Sequence, residues 1–162
     1  MKMHRLLSST LVIAALFVLG AVQAAAQGGI APSSQFGIGA STGGFQLQYA
    51  ISPGFHIGSN LGLNITSPAV GDGVTTITIE PYARFLFEGT VNPFLQAGIS
   101  IASASSTTTT GLYVAGGLEY FITRNVGAYG FVGILDLPFE DGSTKVFGLS
   151  GGRVGVEWFF NP

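Results

Sequence analysis

The 162-residue sequence contains no cysteine, and charged residues make up only 9% of it. Without cysteine there are no disulfide staples, no thiol chemistry and no cysteine-linked lipid anchor. The charge content falls well short of the roughly 25% of an ordinary soluble domain, too little to coat a water-facing surface. Long hydrophobic runs are also missing after the first residues. Nothing there approaches the ~20 apolar residues of a membrane helix, so a helical membrane protein is excluded. Beyond the leader described below, the only histidine is His56, which leaves no His-centred catalytic or metal-binding cluster. No enzymatic activity, cofactor or metal is therefore expected.

What is abundant is apolar character, at 47%, and glycine, at 25 residues. The start, MKMHRLLSSTLVIAALFVLGAVQAAAQ, has Lys2 and Arg5, an apolar run from Leu11 to Val22 and a small-residue ending. This is the layout of a cleaved secretory signal peptide, assigned to residues 1–26, with cleavage after Ala24 or Ala26. The remainder, 27–162, reads as one domain. Without Lys2 and Arg5 it is net acidic, which argues against nucleic acid as a partner.

From Gln35 onward, eight segments alternate apolar and polar residues with period two: Gln35 to Ala40, Phe45 to Ile51, Phe55 to Thr66, Thr75 to Phe87, Pro93 to Ser103, Leu112 to Ile122, Val126 to Leu137 and Val146 to Phe160. Short turns, such as Ser52-Pro53-Gly54, alternate with longer connections, TSPAVGDGVTT, ASASSTTTTG and DLPFEDGSTK. The Ser/Thr-rich run Ser103 to Thr110 is expected to be a solvated loop. Short turns at one end and long loops at the other suit an all-β, eight-stranded antiparallel up-and-down transmembrane β-barrel. The first connection, Ser41 to Gly44, is short where a long loop is expected.

In each segment, charge and glycine share one parity. Glu80, Tyr82 and Arg84 oppose Ile77, Ile79 and Phe85; Glu119 and Gly117 oppose Leu118 and Tyr120; Arg153, Gly155 and Glu157 oppose Val154, Val156 and Trp158. A water-facing surface has no reason to favour glycine or to limit charge to one or two residues per strand. A narrow barrel interior has both reasons. Glu80, Arg84, Glu119, Arg153 and Glu157 are therefore assigned to a paired lumen network, Arg84 levelling with Glu119 and Glu157, and Glu80 with Arg153. Asp136 has an uncertain parity because glycine is frequent around it. A salt-bridged interior implies a largely closed barrel.

The apolar parity carries Tyr49, Phe55, Phe85, Phe87, Tyr120, Trp158 and Phe160 near the ends that meet the short turns, with Phe36 beside them. Gathered at one level, they form an aromatic girdle at a membrane interface. Phe45 and Phe139 are the candidates for a sparser outer ring. Asp72, Glu140 and Asp141 fall in outer loops and read as solvating charges, with a divalent cation bridging to lipopolysaccharide as the alternative. The glycine-rich GLSGGRVG lacks the Lys-Ser/Thr ending of a phosphate loop and reads as strand.

On these patterns the chain resembles the small eight-stranded outer-membrane barrels of the OmpA-barrel and OmpX type over the whole region after the leader. The resemblance implies residence in the outer membrane of a Gram-negative-type cell and contact with outer-membrane lipids. It also implies recognition by the barrel assembly machinery through an aromatic ending, here Val156, Trp158 and Phe160 followed by Asn161 and Pro162. A structural or adhesive role with extracellular loop partners is expected. A narrow porin-like channel is the alternative, and a soluble periplasmic lipocalin-like carrier a further one.

Overall fold

The structure is a computed structural model and describes residues 31–66, 73–105, 107–140 and 142–161. The leader 1–26, Asp72 and Asp141 lie outside the described residues. Eight strands follow one another: β1 (Gln35–Ser41), β2 (Gly44–Ser52), β3 (Phe55–Thr66), β4 (Val74–Leu86), β5 (Asn92–Ala104), β6 (Thr107–Phe121), β7 (Val126–Pro138) and β8 (Val146–Phe160). Each pairs antiparallel with its sequence neighbour, and β1 pairs with β8, so the sheet closes into an up-and-down barrel. Closure leaves no sheet edge along the wall except where strand lengths differ.

Period-two patterning sorts the side chains as a β-strand must. In β4, Glu80, Tyr82, Arg84 and Leu86 are buried, whereas Ile77, Ile79 and Phe85 are about half exposed. The core is inverted relative to a soluble protein. Gln46, Gln48, His56, Asn60, Glu80, Arg84, Asn92, Gln96, Glu119 and Glu157 are buried, while leucine, isoleucine, valine and phenylalanine cover the outside. An exposed apolar surface on this scale calls for an apolar surrounding.

Glycines on the inward parity make room for rings from the adjoining strand. A Cβ at Gly58 would lie 2.6 Å from the Tyr82 hydroxyl, one at Gly155 2.6 Å from Tyr129, one at Gly117 2.5 Å from Phe94 and one at Gly98 2.9 Å from Tyr113. Each glycine faces its ring across a strand pair: Gly58 with Tyr82, Gly155 with Tyr129, Gly117 with Phe94 and Gly98 with Tyr113. Small and large residues thus alternate around the interior, which is how a narrow barrel fills.

Two expectations are corrected and one open point is settled. The Ser103–Thr110 run is not a long loop: β5 continues to Ala104 and β6 begins at Thr107, with Ser105 at φ 54° in a tight turn. β-Branched threonines suit a strand even where their hydroxyls suggest solvent. Thr107, Thr108, Thr109 and Thr110 pair with Ala104, Ser103, Ala102 and Ile101, so this hairpin stands as a ribbon. Phe87 and Ile122 lie one residue beyond β4 and β6. Finally, β7 carries an irregularity: Ala115 pairs with Gly133 and Val114 with Leu135, so Ile134 is passed over. The bulge resets the parity and brings Asp136 opposite the inward-facing Tyr113.

Candidate functional site: the lumen and its two charge clusters

The inner end of the barrel is packed solid. His56, Ala50, Phe121 and Phe159 are fully buried, with ring centroids 5.6 Å apart for His56 and Phe159 and 6.0 Å for Phe121 and Phe159. Ala31 packs against this cluster from the segment before β1, and Pro32 beside it is buried. Ala31 and Pro32 thus pack at the inner end of the barrel.

Above this packing lies Arg84, with no exposed surface. Its Nη1 is 2.9 Å from Glu119 and 3.4 Å from Glu157, both carboxylates being fully buried. Its Nε donates to the Gln96 amide oxygen at 3.1 Å. The guanidinium carbon sits 4.5 Å from the Phe94 ring centroid, 5.0 Å from Tyr129 and 5.4 Å from Tyr82, so aromatic faces supply the remaining contacts. Two carboxylates share one cation, and amide donors reach one of them. Gln48 donates to Glu157 at 2.7 Å and Gln46 at 3.2 Å. The Tyr82 hydroxyl donates to the Gln48 oxygen at 3.1 Å, and Gln96 donates to the Tyr113 hydroxyl at 3.0 Å. The result is one connected network across β2, β4, β5, β6 and β8. Several of its atoms stay without a hydrogen-bond partner, Arg84 Nη2, Glu119 Oε1, Glu157 Oε1 and Gln46 Oε1 among them, so the cluster is connected but not fully satisfied.

The second cluster lies nearer the outer end. Arg153 forms a two-pronged pair with Glu80, Nη2 donating to Oε1 at 2.7 Å and Nη1 to Oε2, while Asn60 donates to the same Oε2 at 3.2 Å. Arg153 is 29% exposed and Glu80 9%, so this pair meets water from above. Asp136 lines the same space as Glu80 and Arg153. All five network residues therefore face the lumen, and they fall into the two groups expected from their strand levels.

Outside, the inner girdle consists of paired rings: Phe36 and Tyr49 at 4.8 Å, Phe55 and Phe85 at 4.8 Å, and Trp158 and Phe160 at 5.6 Å between centroids. Phe87 is 54% exposed just past β4, and Tyr120 is half-buried on β6. β5 and β7 contribute no aromatic to this level. At the opposite end Phe45, Phe139 and Phe147 are strongly exposed. Phe147 comes from β8 and was missed because glycines at 148, 151 and 152 obscure the alternation there.

The aromatic lining around Arg84 was also missed: Phe94 and Tyr129 were not singled out. Their signal was the inward glycine on the neighbouring strand. Of the loop acids, Glu140 is described. Its Oε1 accepts from the Thr110 N–H at 2.5 Å and the Thr110 hydroxyl at 3.3 Å. The backbone N–H of Thr110 holds the Glu140 carboxyl below its usual pKa. Among the described residues, no three His, Cys, Asp or Glu side chains converge as a metal site would require.

A closed eight-stranded barrel with an apolar wall, a charged and hydrogen-bonded lumen and an aromatic girdle defines the class of small up-and-down β-barrels. Among solved structures, the chain is similar to the N-terminal β-barrel domain of Pseudomonas aeruginosa OprF, with a TM-score of 0.57 and 18% identity over 83% of this chain and all of that one. At this identity the likeness establishes a shared fold. No family model and no curated protein matches the sequence.

Proposed function

We propose that this chain is an integral protein of the outer membrane of a Gram-negative-type cell, exported through a cleaved leader, with a structural or adhesive role and a closed interior. The observation that carries this reading is the inversion of polarity. Exposed leucine, isoleucine, valine and phenylalanine form the wall while, among the described residues, ten polar or charged side chains are buried inside. In water such a wall would aggregate; against hydrocarbon it is stable, and barrel closure satisfies the backbone. The likeness to the OprF barrel supports the location. In this reading the partners are outer-membrane lipids along the wall, the barrel assembly machinery during insertion, and surface molecules at the outer hairpins. The protein catalyses no reaction and holds no cofactor.

Cell fractionation tests the location. The protein should sediment with outer membranes and resist alkaline extraction. Recovery in the soluble periplasm would overturn the assignment in favour of the lipocalin-like carrier. The narrow porin-like channel would need a path past Arg84, where the guanidinium, two carboxylates and three rings occupy the cross-section.

A further inference from the structure

Above the buried Arg84 cluster the lumen widens into a dead-end vestibule of about 170 Å³, lined by Glu80, Tyr113, Phe131, Asp136, Ser150 and Arg153 among others. A cavity of roughly 150 Å³ suffices for benzene, so this one takes a compact group of similar size. Its floor is closed, since Arg84, Gln96 and Glu119 beneath it have no exposed surface.

The vestibule is most accessible on one side. The β1–β2 turn at Thr42 and Gly43 is low, because β1 and β2 are only 7 and 9 residues long, whereas β7 and β8 have 13 and 15. β8 pairs with β1 only as far up as Gly155, opposite Ser41, and β3 pairs with β2 only as far up as Leu61, opposite Phe45. Ser150 and Gly151, which line the vestibule, belong to the part of β8 with no β1 neighbour. The Arg153 side chain crosses over the turn, where a Cβ at Gly43 would meet its Cδ and Nε at 2.8 Å.

The lining carries both signs, two carboxylates against one guanidinium. Arg153 is spent on Glu80. Asp136, directly opposite Tyr113 in the β6–β7 register, has no ion-pair partner among the described residues, and the exposed Lys145 adjoins Val146, its partner in the β7–β8 register. The vestibule therefore carries a net negative charge between aromatic walls. Phe131 already receives a cation, the Arg153 guanidinium, at 5.7 Å from its ring centroid. A small metal ion would need several oxygen ligands at once; the cavity offers oxygens from Glu80, Ser100, Tyr113, Asp136 and Ser150, but Glu80 is held by Arg153, and among the described residues no three His, Cys, Asp or Glu side chains converge. An organic ammonium ion, weakly hydrated and suited to aromatic faces, matches both the charge and the apolar lining.

We propose that the outer vestibule is a binding site for a small organic ammonium ion, held by the Asp136 carboxylate and the Tyr113 ring and admitted from the outer face over the low β1–β2 rim. The site needs no path through the barrel, so it stands whether or not the protein conducts.

The test titrates the folded protein in lipid bicelles with tetramethylammonium chloride and follows backbone amide resonances. Sodium chloride at equal ionic strength and tert-butanol, a neutral molecule of similar shape, serve as controls. The expected result is saturable shifts confined to the vestibule, around Tyr113, Phe131 and Ser150, with tetramethylammonium alone. Asp136→Asn, at the rim and outside the buried network, should weaken binding about tenfold. Ser150→Leu, which fills the cavity without changing its charge, should abolish it. Absence of saturable shifts, equal shifts with tert-butanol, or unweakened binding by Asp136→Asn would overturn the proposal.

Discussion

The inner and outer halves of the lumen are built from the same residue types to different ends. In the inner half, Arg84 is enclosed by two carboxylates, a glutamine and three aromatic rings, and none of its surface is exposed. In the outer half, Arg153 meets one carboxylate and keeps 29% of its side chain exposed. An ion pair fully removed from water is costly to form and costlier to break, because the surviving charge is left without solvent or partner. A pair open to water loses less when broken. In the proposed reading the inner half seals the barrel, while the outer half stays open to water.

If that contrast is right, the largest effect comes from the inner cluster. Arg84→Leu leaves Glu119 and Glu157 facing each other and should lower stability by about 3–5 kcal/mol, measured by urea unfolding in vesicles. Filling the space reserved for a ring comes next. Gly155→Val places methyl groups where Tyr129 lies, and about 1–3 kcal/mol should be lost by the same measurement. Arg153→Leu should cost less than Arg84→Leu, about 1–2 kcal/mol, because water can reach the freed Glu80. Equal losses for the two arginines would erase the distinction between the halves.

The smallest effect lies in the β7–β8 loop. The Glu140 carboxyl is held below its usual pKa by the Thr110 N–H. Its tie to β6 is therefore intact above the ordinary glutamate range and is lost as pH falls through the depressed value. Acidification should loosen the loop, with faster amide exchange at Thr110, while unfolding of the barrel barely changes. Glu140→Gln should give the fast exchange already at neutral pH.

Much of this was legible in the sequence, for a physical reason. Period-two alternation follows directly from strand geometry, so the eight strands and their inward parity could be read residue by residue. The two levels of charge were legible because inward positions are few and each charge needs an opposite sign nearby. The β5–β6 ribbon was not, since serine and threonine serve solvated loops and β-strands alike. Nor was the position of Asp136, which depends on the β7 bulge at Ile134, a feature of pairing between strands and not of one strand's pattern. Phe94 and Tyr129 were hidden for a similar reason, because each is explained by a glycine on the next strand, Gly117 and Gly155. Ser59, a polar residue on the outward face of β3, pairs with Leu47 and Pro81. Its hydroxyl lies 3.5 Å from the Asn60 carbonyl, too long a contact to explain its presence there.

The most direct test of a barrel sealed at Arg84 is the conductance of purified, folded protein in a planar lipid bilayer. A sealed inner half predicts no steady, reproducible openings at any applied potential, for the full chain and for Arg153→Leu alike. Stable openings of uniform size from the unmodified protein would contradict it.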